Sequence, residues 1–337
     1  MDWDHGFSSS IYATFVDPDT WRDQTRFEIT GGSIKRSIDD LREAADLNCT
    51  SSYTETSEKW IRVWLDAKQP GSSSHTPLFT GLAISPGKSI NGIIETKQLQ
   101  CYSVLKPAQD ILLQRGWYAP AGIDSGFIIK KLLSVTPAPI EIDPDAPKLT
   151  DPIISMDGDT NLSMALLIAD VVQWQIKLGG DGVIHVTPLP KTPTSVKRFD
   201  AFSYDVIESN LSMNYDWYNC PNVFRAIVGN TVAIARDDNP DSIFSTVSRG
   251  REVWAEENGY ALNDKETIAE YANRRLRELQ TIYLEMSYSR RFDPDVNVLD
   301  IVDINYPAQS IQGTFIVTSQ SISLGTNINI SEEVRAI

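Results

Sequence analysis

Residues whose types could do chemistry are few in this sequence, and their spacing matches no catalytic motif. The only histidines are His5, His75 and His185, which fall in a terminus, a predicted loop and a predicted strand. A hydrolytic triad needs a nucleophile, a base beside it and a third group that orients the base. No GxSxG motif and no phosphate-binding GxxxxGK[ST] or GxGxxG motif occurs. We therefore expect no enzymatic activity, no cofactor and no bound metal ion.

An acidic stretch in the middle of the chain is the second place to look for chemistry. Six carboxylates fall within nineteen residues: Glu141, Asp143, Asp145, Asp151, Asp157 and Asp159. Asp157, Asp159 and Asn161 place oxygen ligands at positions one, three and five of a calcium loop. However, position six is Leu162 rather than glycine, and position twelve is Ile168 rather than glutamate. We interpret the stretch as a solvated loop, with calcium in a looser geometry as the alternative.

Paired carboxylates cleave glycosides when they stand about 5–10 Å apart. The chain has 45 acidic residues, and the sequence singles out no pair among them. Asp300 and Asp303 are three residues apart in a predicted strand, so they point to opposite faces. We therefore expect a structural role for both.

Two groups of residues are candidates for a subunit interface. The first is the basic cluster of Arg274, Arg275 and Arg277, which is either a solvated helix face or a surface for a neighbour's carboxylates, since the planar guanidinium pairs well with them. The second is Trp60 and Trp64, on one face of a strand predicted over 59–67 whose other face is wholly apolar. The tryptophans are expected to be packed or in an interface, and a sugar-binding platform is the alternative.

Composition bounds the class of protein. The 337 residues carry a net charge of −15, which argues against sequence-specific binding of nucleic acid. No stretch reaches the roughly 20 apolar residues of a membrane span, and residues 1–10 do not resemble a signal peptide. Cys49, Cys101 and Cys220 show no CxxC spacing and are expected to be free, buried thiols. We therefore expect a protein that is assembled in a cytoplasm without stable membrane insertion.

Periodicity predicts three blocks. In the first, strands are expected at 27–34 (with a break at Gly31–Gly32), 59–67, 78–84 and 96–102, with a polar loop over 69–77 and a helix over 104–115. In the second, helices are expected at 127–133 and from the cap at Asp159 or Thr160 to Leu178, with a loop over 136–152 and a strand over 183–187.

The third block is again rich in predicted strands. A hairpin is expected over 223–235 with its turn at Gly229–Asn230, and later strands at 298–306, 313–319 and 321–324. A helix capped by Asn263 interrupts them, with its apolar stripe at Ile268, Ala272, Leu276 and Leu279. The fold class is thus mainly β with an α+β insert: two small barrel-like β domains (1–115 and 193–337, the latter with an inserted helix at about 263–285) flank an α/β domain (116–192).

The order of motifs resembles the baseplate hub proteins of phage tails and contractile injection systems, including the hub part of type VI secretion spike proteins. In the third block the resemblance rests on NVFRAIVGN (222–230), SRGR (248–251), EYANRRLRELQ (270–280), DPDVNVLDIVDINY (293–306) and GTFIVTSQSISLG (313–325). In the earlier blocks it rests on LFTGLAI (78–84), LQCYSVLKPAQDILLQRG (99–116) and GGDGVIHVTP (179–188). One departure is Leu299–Asp300, where the family often has Gly-Asp.

The resemblance implies a homotrimer in which each subunit places two similar barrels in a ring. Three chains then present six barrels, and this pseudo-sixfold ring joins the sixfold tail tube to the threefold central spike. Implied partners are the tube protein, the spike, baseplate wedge or peripheral proteins and the tape measure protein, with DNA passing through the lumen. The implied location is the virion tail baseplate. The alternatives are a tail-associated cell-wall-degrading enzyme and a carbohydrate- or receptor-binding tail module.

Overall fold

A computed structural model describes the chain apart from residues 39–40, 51–52, 54–56, 92–93, 191–193, 202–206, 216, 219, 229–230, 260–265, 282–283, 308–310 and 326. The described residues form twenty strands and five helices, which confirms the predicted mainly β fold with a smaller helical part. Within these residues, no helix is both long and apolar enough to cross a membrane.

The first six strands form a closed ring of paired neighbours, called the first unit here. They are β1 (Ser8–Val16), β2 (Asp23–Ser37), β3 (Glu43–Cys49), β4 (Lys59–Gln69), β5 (Ser72–Asn91) and β6 (Ile94–Ser103). Their order is β1-β4-β5-β6-β3-β2, and β2 pairs back onto β1, all pairs being antiparallel. Closure of this kind removes free edges from a sheet.

Strand β4 shows the alternation that the sequence predicts. One of its faces is fully buried in the core of the first unit, through Ile61, Val63, Leu65 and Ala67. The polar loop predicted over 69–77 is wrong, because β4 continues to Gln69 and β5 begins at Ser72 after a turn at Pro70–Gly71. Strand pairing uses backbone N–H and C=O groups, so polar side chains do not prevent it.

A mixed block follows, called the middle block. Its elements are α1 (Lys106–Asp110), β7 (Tyr118–Ala119), α2 (Ser125–Leu133), β8 (Ile140–Ile142), β9 (Ile153–Ile154), α3 (Asn161–Val171), β10 (Trp174–Leu178) and β11 (Ile184–Pro188). Strands β10 and β11 form a hairpin, β8 lies parallel to β11, and β7 pairs with β9. Helices α1, α2 and α3 share one apolar core with this sheet.

The middle block also corrects two helix predictions and one loop prediction. Thr160 caps α3 as expected, but α3 ends at Val171 rather than Leu178. The next residue but one, Gln173, has φ 59°, which turns the chain out of the helix and into β10. The helix predicted over 104–115 is the single turn α1, and the loop predicted over 136–152 contains β8, whose three residues are too short to give a periodic signal.

The remaining strands form a second six-stranded unit with an inserted subdomain. The second unit consists of β12 (Lys197–Asp200), β13 (Ile207–Tyr215), β17 (Leu284–Arg291), β18 (Ile301–Tyr306), β19 (Ile311–Leu324) and β20 (Asn329–Ala336). The insert consists of β14 (Val223–Val228), β15 (Thr231–Arg236), α4 (Thr246–Arg249), β16 (Trp254–Gly259) and α5 (Ile268–Thr281). In the insert, β14 lies between antiparallel β15 and parallel β16, and α5 packs on this sheet.

Two predictions for the insert fall on residues outside the described ones. The first is the turn predicted at Gly229–Asn230, and the strands on either side pair up to Val228 and Thr231, as the predicted hairpin requires. The predicted cap Asn263 also lies outside them. Helix α5 begins after Thr267, whose Oγ1 accepts from the Glu270 N–H at 3.3 Å while the Glu270 carboxylate accepts from the Thr267 N–H at 2.8 Å.

Both units have the same strand order. The second unit runs β12-β18-β19-β20-β17-β13, which repeats β1-β4-β5-β6-β3-β2 strand for strand. One difference is that β12 lies parallel to β18, whereas β1 is antiparallel to β4. A second difference is that, in the described residues, β12 and β13 are not paired with each other.

The two units share one continuous sheet. Antiparallel pairing joins β2 to β19 from Ser37–Ser319 to Gly32–Leu324. A Cβ at Gly32 would lie 2.2 Å from the Asp46 carbonyl oxygen, which explains the glycine pair inside β2. The core of the first unit therefore includes Ile322, Leu324, Ile328 and Ile330 from the far end of the chain, together with Phe292. The division at residues 115 and 192 stays a prediction.

Candidate assembly interface

The two candidate tryptophans have different surroundings on the outer face of β4. The Trp60 ring lies 5.6 Å from the Trp21 ring and packs against the core of the middle block. The Trp64 ring stacks on His75, with centroids 4.1 Å apart and planes 6° apart. Both side chains are thus half-buried within their own chain, Trp60 against the middle block and Trp64 against His75. Their role in a subunit interface stays a prediction.

Arg62, between these tryptophans, attaches the middle block to the first unit. Its side chain is 6% exposed and donates to Thr80 Oγ1 at 2.9 Å and to the Asp181 carbonyl at 2.9 Å, while pairing with Asp23 at 3.2 Å. Asp181 lies in the turn between β10 and β11, and its carbonyl also accepts from Trp21 Nε1 at 3.0 Å. A Cβ at Gly180 would lie 2.1 Å from the Pro77 carbonyl oxygen. This close approach explains the glycines of the GGDG turn.

Two of the three candidate arginines on α5 are paired within the chain. Arg274 contacts Glu266 and Glu278, each at 2.8 Å. Arg275 contacts Glu257 at 2.9 Å and Glu278 at 2.7 Å. The third, Arg277, is exposed. A partner that recruits Arg274 or Arg275 has to compete with these carboxylates, and the assignment of the cluster to an interface stays a prediction.

A cavity of about 310 Å³ lies where the first unit, the middle block and the second unit meet. Arg36 pairs with buried Glu43 at 2.9 Å and donates to Asn297 Oδ1 at 2.9 Å. Lys177 pairs with Asp300 at 3.0 Å. Burial raises the pKa of Glu43 to about 7, against the attraction of Arg36, and the negative charge of Asp181 adds to the rise.

The turn before β18 contains the position at which this chain departs from the motif it resembles. Leu299 has φ 70°, the left-handed backbone conformation that a glycine adopts without cost. The Asp300 carboxylate accepts from the Asn297 N–H at 2.9 Å and thereby holds the turn. Asp303 instead accepts from Thr314 Oγ1 at 2.8 Å. Asp300 precedes β18, so the two aspartates do not lie in one strand as the spacing predicted, but each has its own structural partner.

The second unit buries an ion pair in its core. Arg290 and Glu332 are both 0% exposed, and two nitrogens of the guanidinium contact the carboxylate at 2.8 and 2.6 Å. Gln320 Nε2 donates to the same carboxylate at 2.7 Å. Sequence reasoning missed this pair, although a signal exists. Arg290 follows Met286 and Tyr288, and Glu332 lies between Ile330 and Val334, so each charge occupies an inward position of its strand.

The acidic stretch is engaged by contacts within its own block. Asp159 accepts from the Met156 N–H at 2.6 Å, and Asp157 lies 3.6 Å from Arg115. Glu141 lies 3.2 Å from His185. Among the residues with described positions, no three His, Cys, Asp or Glu side chains are grouped so that they could hold a metal ion. Glu141 lies in β8, so the stretch is a loop only in part, and its interpretation as a solvated loop stays a prediction for the remainder.

The three cysteines are buried thiols, as predicted. Burial raises the pKa of Cys49 to about 12, and it raises the pKa of Cys101 as well. Because the thiolate is the reactive form, both thiols are inert at neutral pH.

No family model matches the sequence, and no curated protein matches it. Solved structures do match over almost the whole chain. A tail protein from Neisseria meningitidis has a TM-score of 0.72 at 12% identity, covering 98% of this chain and 96% of its own. A 43 kDa prophage tail protein from Shewanella oneidensis has a TM-score of 0.68 at 14% identity, with coverages of 97% and 98%.

A third similar structure comes from a secretion system. It is an Escherichia coli component of the type VI secretion system, itself described as similar to two T4 bacteriophage tail proteins. Its TM-score is 0.53 at 7% identity, and the match covers 92% of this chain and 74% of that one. The resemblance to phage tail and injection-system proteins that the sequence predicts is therefore confirmed at the level of the fold.

Proposed function

We propose that this chain is a structural, non-enzymatic subunit of the baseplate of a phage tail or a related contractile injection machine. In this proposal three copies form a hub ring of pseudo-sixfold symmetry. The ring joins the sixfold tail tube to the threefold central spike. Wedge or peripheral baseplate proteins and the tape measure protein are the further partners, and the location is the virion tail after assembly in the host cytoplasm.

The repeated strand order is the observation that carries this proposal. The same six-strand arrangement occurs twice in one chain, and the β2–β19 pairing fixes the two units side by side. A protein with two equivalent units meets a sixfold partner naturally as a trimer, because three chains then offer six equivalent surfaces. The matching folds of the tail proteins support a role in a tail over the whole length of the chain.

The charge of the chain fits a channel that DNA passes without binding. Its net charge of −15 disfavours attraction to phosphate groups. The face of β19 and β20 that points away from the core carries small polar residues, among them Ser319, Ser321, Ser323 and Ser331. We place this face on the lumen. A positive electrostatic potential along the lumen of the assembled ring would contradict this part of the proposal.

Light scattering and electron microscopy of the purified protein test the ring. We expect a mass of three chains, ring-shaped particles with six similar lobes, and stacking on tail tube protein. A chain that stays monomeric at high concentration, both alone and with tube protein, would refute the trimer. Clearing of peptidoglycan in a zymogram would refute the non-enzymatic role and favour a wall-degrading enzyme.

A further inference from the structure

The β2–β19 junction forms where each of these strands extends beyond the strand that pairs with the same edge earlier in its length. Strand β19 pairs with β18 only up to Ile316, and its second half, Ser319 to Leu324, pairs with β2. Strand β2 in turn pairs with β1 only over Asp23 to Glu28, and β19 lies along the same side from Gly32 onward. The junction is therefore formed by the second halves of two strands.

The corresponding strands of the two units match residue by residue. Both β5 and β19 have a bulge against their next strand, after Ala83 in one unit and after Val317 in the other. Strand β2 has a register shift against β3, and β13 has a register shift against β17. Counting from the bulges, residues 87–90 of β5 correspond to 321–324 of β19. Counting along the paired strands, residues 211–214 of β13 correspond to 32–35 of β2.

The same open edges recur on the opposite sides of the two units. Strand β5 pairs with β4 only up to Ala83. Beyond Ala83, β6 is the one described strand that pairs with β5. Strand β13 pairs with β17, which within the described residues is its one strand neighbour. An open strand edge is a template for pairing with another chain.

Exposed apolar side chains mark these two edges. Ile90 on β5 is 64% exposed, whereas its counterpart Leu324 at the internal junction is 3% exposed. Met213 on β13 is 39% exposed, whereas its counterpart Ile34 is 0% exposed. Equivalent positions are thus buried where the junction is made and exposed where it is not. A partner that completes the junction would bury both side chains.

We propose that β13 of one copy pairs antiparallel with β5 of a second copy of this chain, repeating between chains the junction that β2 and β19 make within one. The predicted register is Gly87 with Asn214, Lys88 with Met213, Ser89 with Ser212 and Ile90 with Leu211. Pro86, which has no N–H to donate, precedes this stretch. The inference rests on the proposed trimer and specifies how it closes, because a head-to-tail contact made three times forms a ring.

Disulfide cross-linking tests the register. The double variant S89C/S212C should form covalent dimers and trimers under mild oxidation. S33C/S323C, the equivalent pair within one chain, is the positive control and should form a disulfide without a change in mass. S72C/S212C is the negative control, because Ser72 lies where β4 already pairs with β5. The native thiols are buried and do not interfere.

A charge placed in the junction provides an independent readout. M213K puts a second ammonium group opposite Lys88 at a position that the pairing would bury, so the dissociation constant of the trimer should rise about 30-fold or more. M156K changes an exposed methionine of the middle block and should leave the mass unchanged. A trimer that persists in M213K at limiting concentration refutes the pairing. A trimeric wild type whose S89C/S212C variant forms no cross-link, while S33C/S323C does, refutes it as well. A monomeric wild type instead refutes the proposed trimer itself.

Discussion

The buried ion pair of Arg290 and Glu332 leads to a specific prediction about stability. Two contacts of 2.8 and 2.6 Å, together with the Gln320 amide, offset the cost of removing both charges from water. In E332Q the guanidinium stays charged, because arginine does not release its proton in a protein. We expect the free energy of unfolding to fall by about 3–5 kcal/mol, the cost of breaking a buried pair. At a typical slope this lowers the urea midpoint by roughly 1–2 M.

The reverse deletion should behave differently with pH. In R290M the Glu332 carboxylate is left buried without its partner, and it can avoid the penalty by taking up a proton. The loss of stability should therefore be smaller at pH 5 than at pH 8, whereas the loss in E332Q should not depend on pH. The double variant R290M/E332L should recover most of the loss, since an apolar replacement fills the same core without a charge.

Urea unfolding followed by tryptophan fluorescence measures all three variants at constant protein concentration. The exposed pair of Arg225 and Glu256 is the matched control, and E256Q should barely change the midpoint, because exposed pairs contribute little. A cost of E332Q below about 1 kcal/mol, or losses in the single variants that simply add in the double variant, would refute the reasoning.

Three further predictions concern single residues. The pKa of Glu43 is about 7 in the folded chain and 4.5 ordinarily, so the folded state holds this proton more tightly than the unfolded state does. Relative to E43Q, the wild type should therefore lose on the order of 3 kcal/mol of stability as the pH rises from 4.5 through 7. A stability difference between the two proteins that does not change with pH would contradict this. Leu299 has a left-handed backbone, so L299G should be at least as thermostable as the wild type. L299V, with its branched Cβ, should lose about 1–2 kcal/mol of unfolding free energy. The reverse order of stability would contradict the assigned backbone conformation. Because Trp60 packs on Trp21, W60A should lower the unfolding temperature more than W64A does, and equal effects would show that this contact contributes little.

Local signals predicted much of the secondary structure. The alternation in β4 and the cap at Thr160 each depend on side chains within a few residues, and both are present in the structure. Partners distant in the chain were not predictable in the same way. Strand β8 exists because β11 lies beside it, and its own three residues carry no periodic pattern. Likewise, nothing near Ser72 indicates that β4 is its partner, so a polar run was interpreted as a loop.

The contacts that the candidate interface residues make within the chain were predictable only in part, for a related reason. The sequence shows that Arg274 and Arg275 form a cluster, but their carboxylate partners come from β16, from the residues before α5 and from α5 itself. Arg62 looks like an ordinary surface residue until the elements packed over it are known. Charge pairing depends on the tertiary structure, and for this reason composition alone does not separate a free cation from a satisfied one.

The continuous sheet has a consequence for how the protein is made. Ser33 and Ser323, which pair across the two units, are roughly 290 residues apart in the sequence. At a synthesis rate of about 5–20 residues per second, β2 waits roughly 15–60 s on the ribosome for its partner. During that delay the core of the first unit lacks the four residues that β19, β20 and the turn between them supply. The first unit is thus among the earliest parts to be translated and among the last to be completed, so slow folding and a dependence on chaperones are expected of the nascent chain.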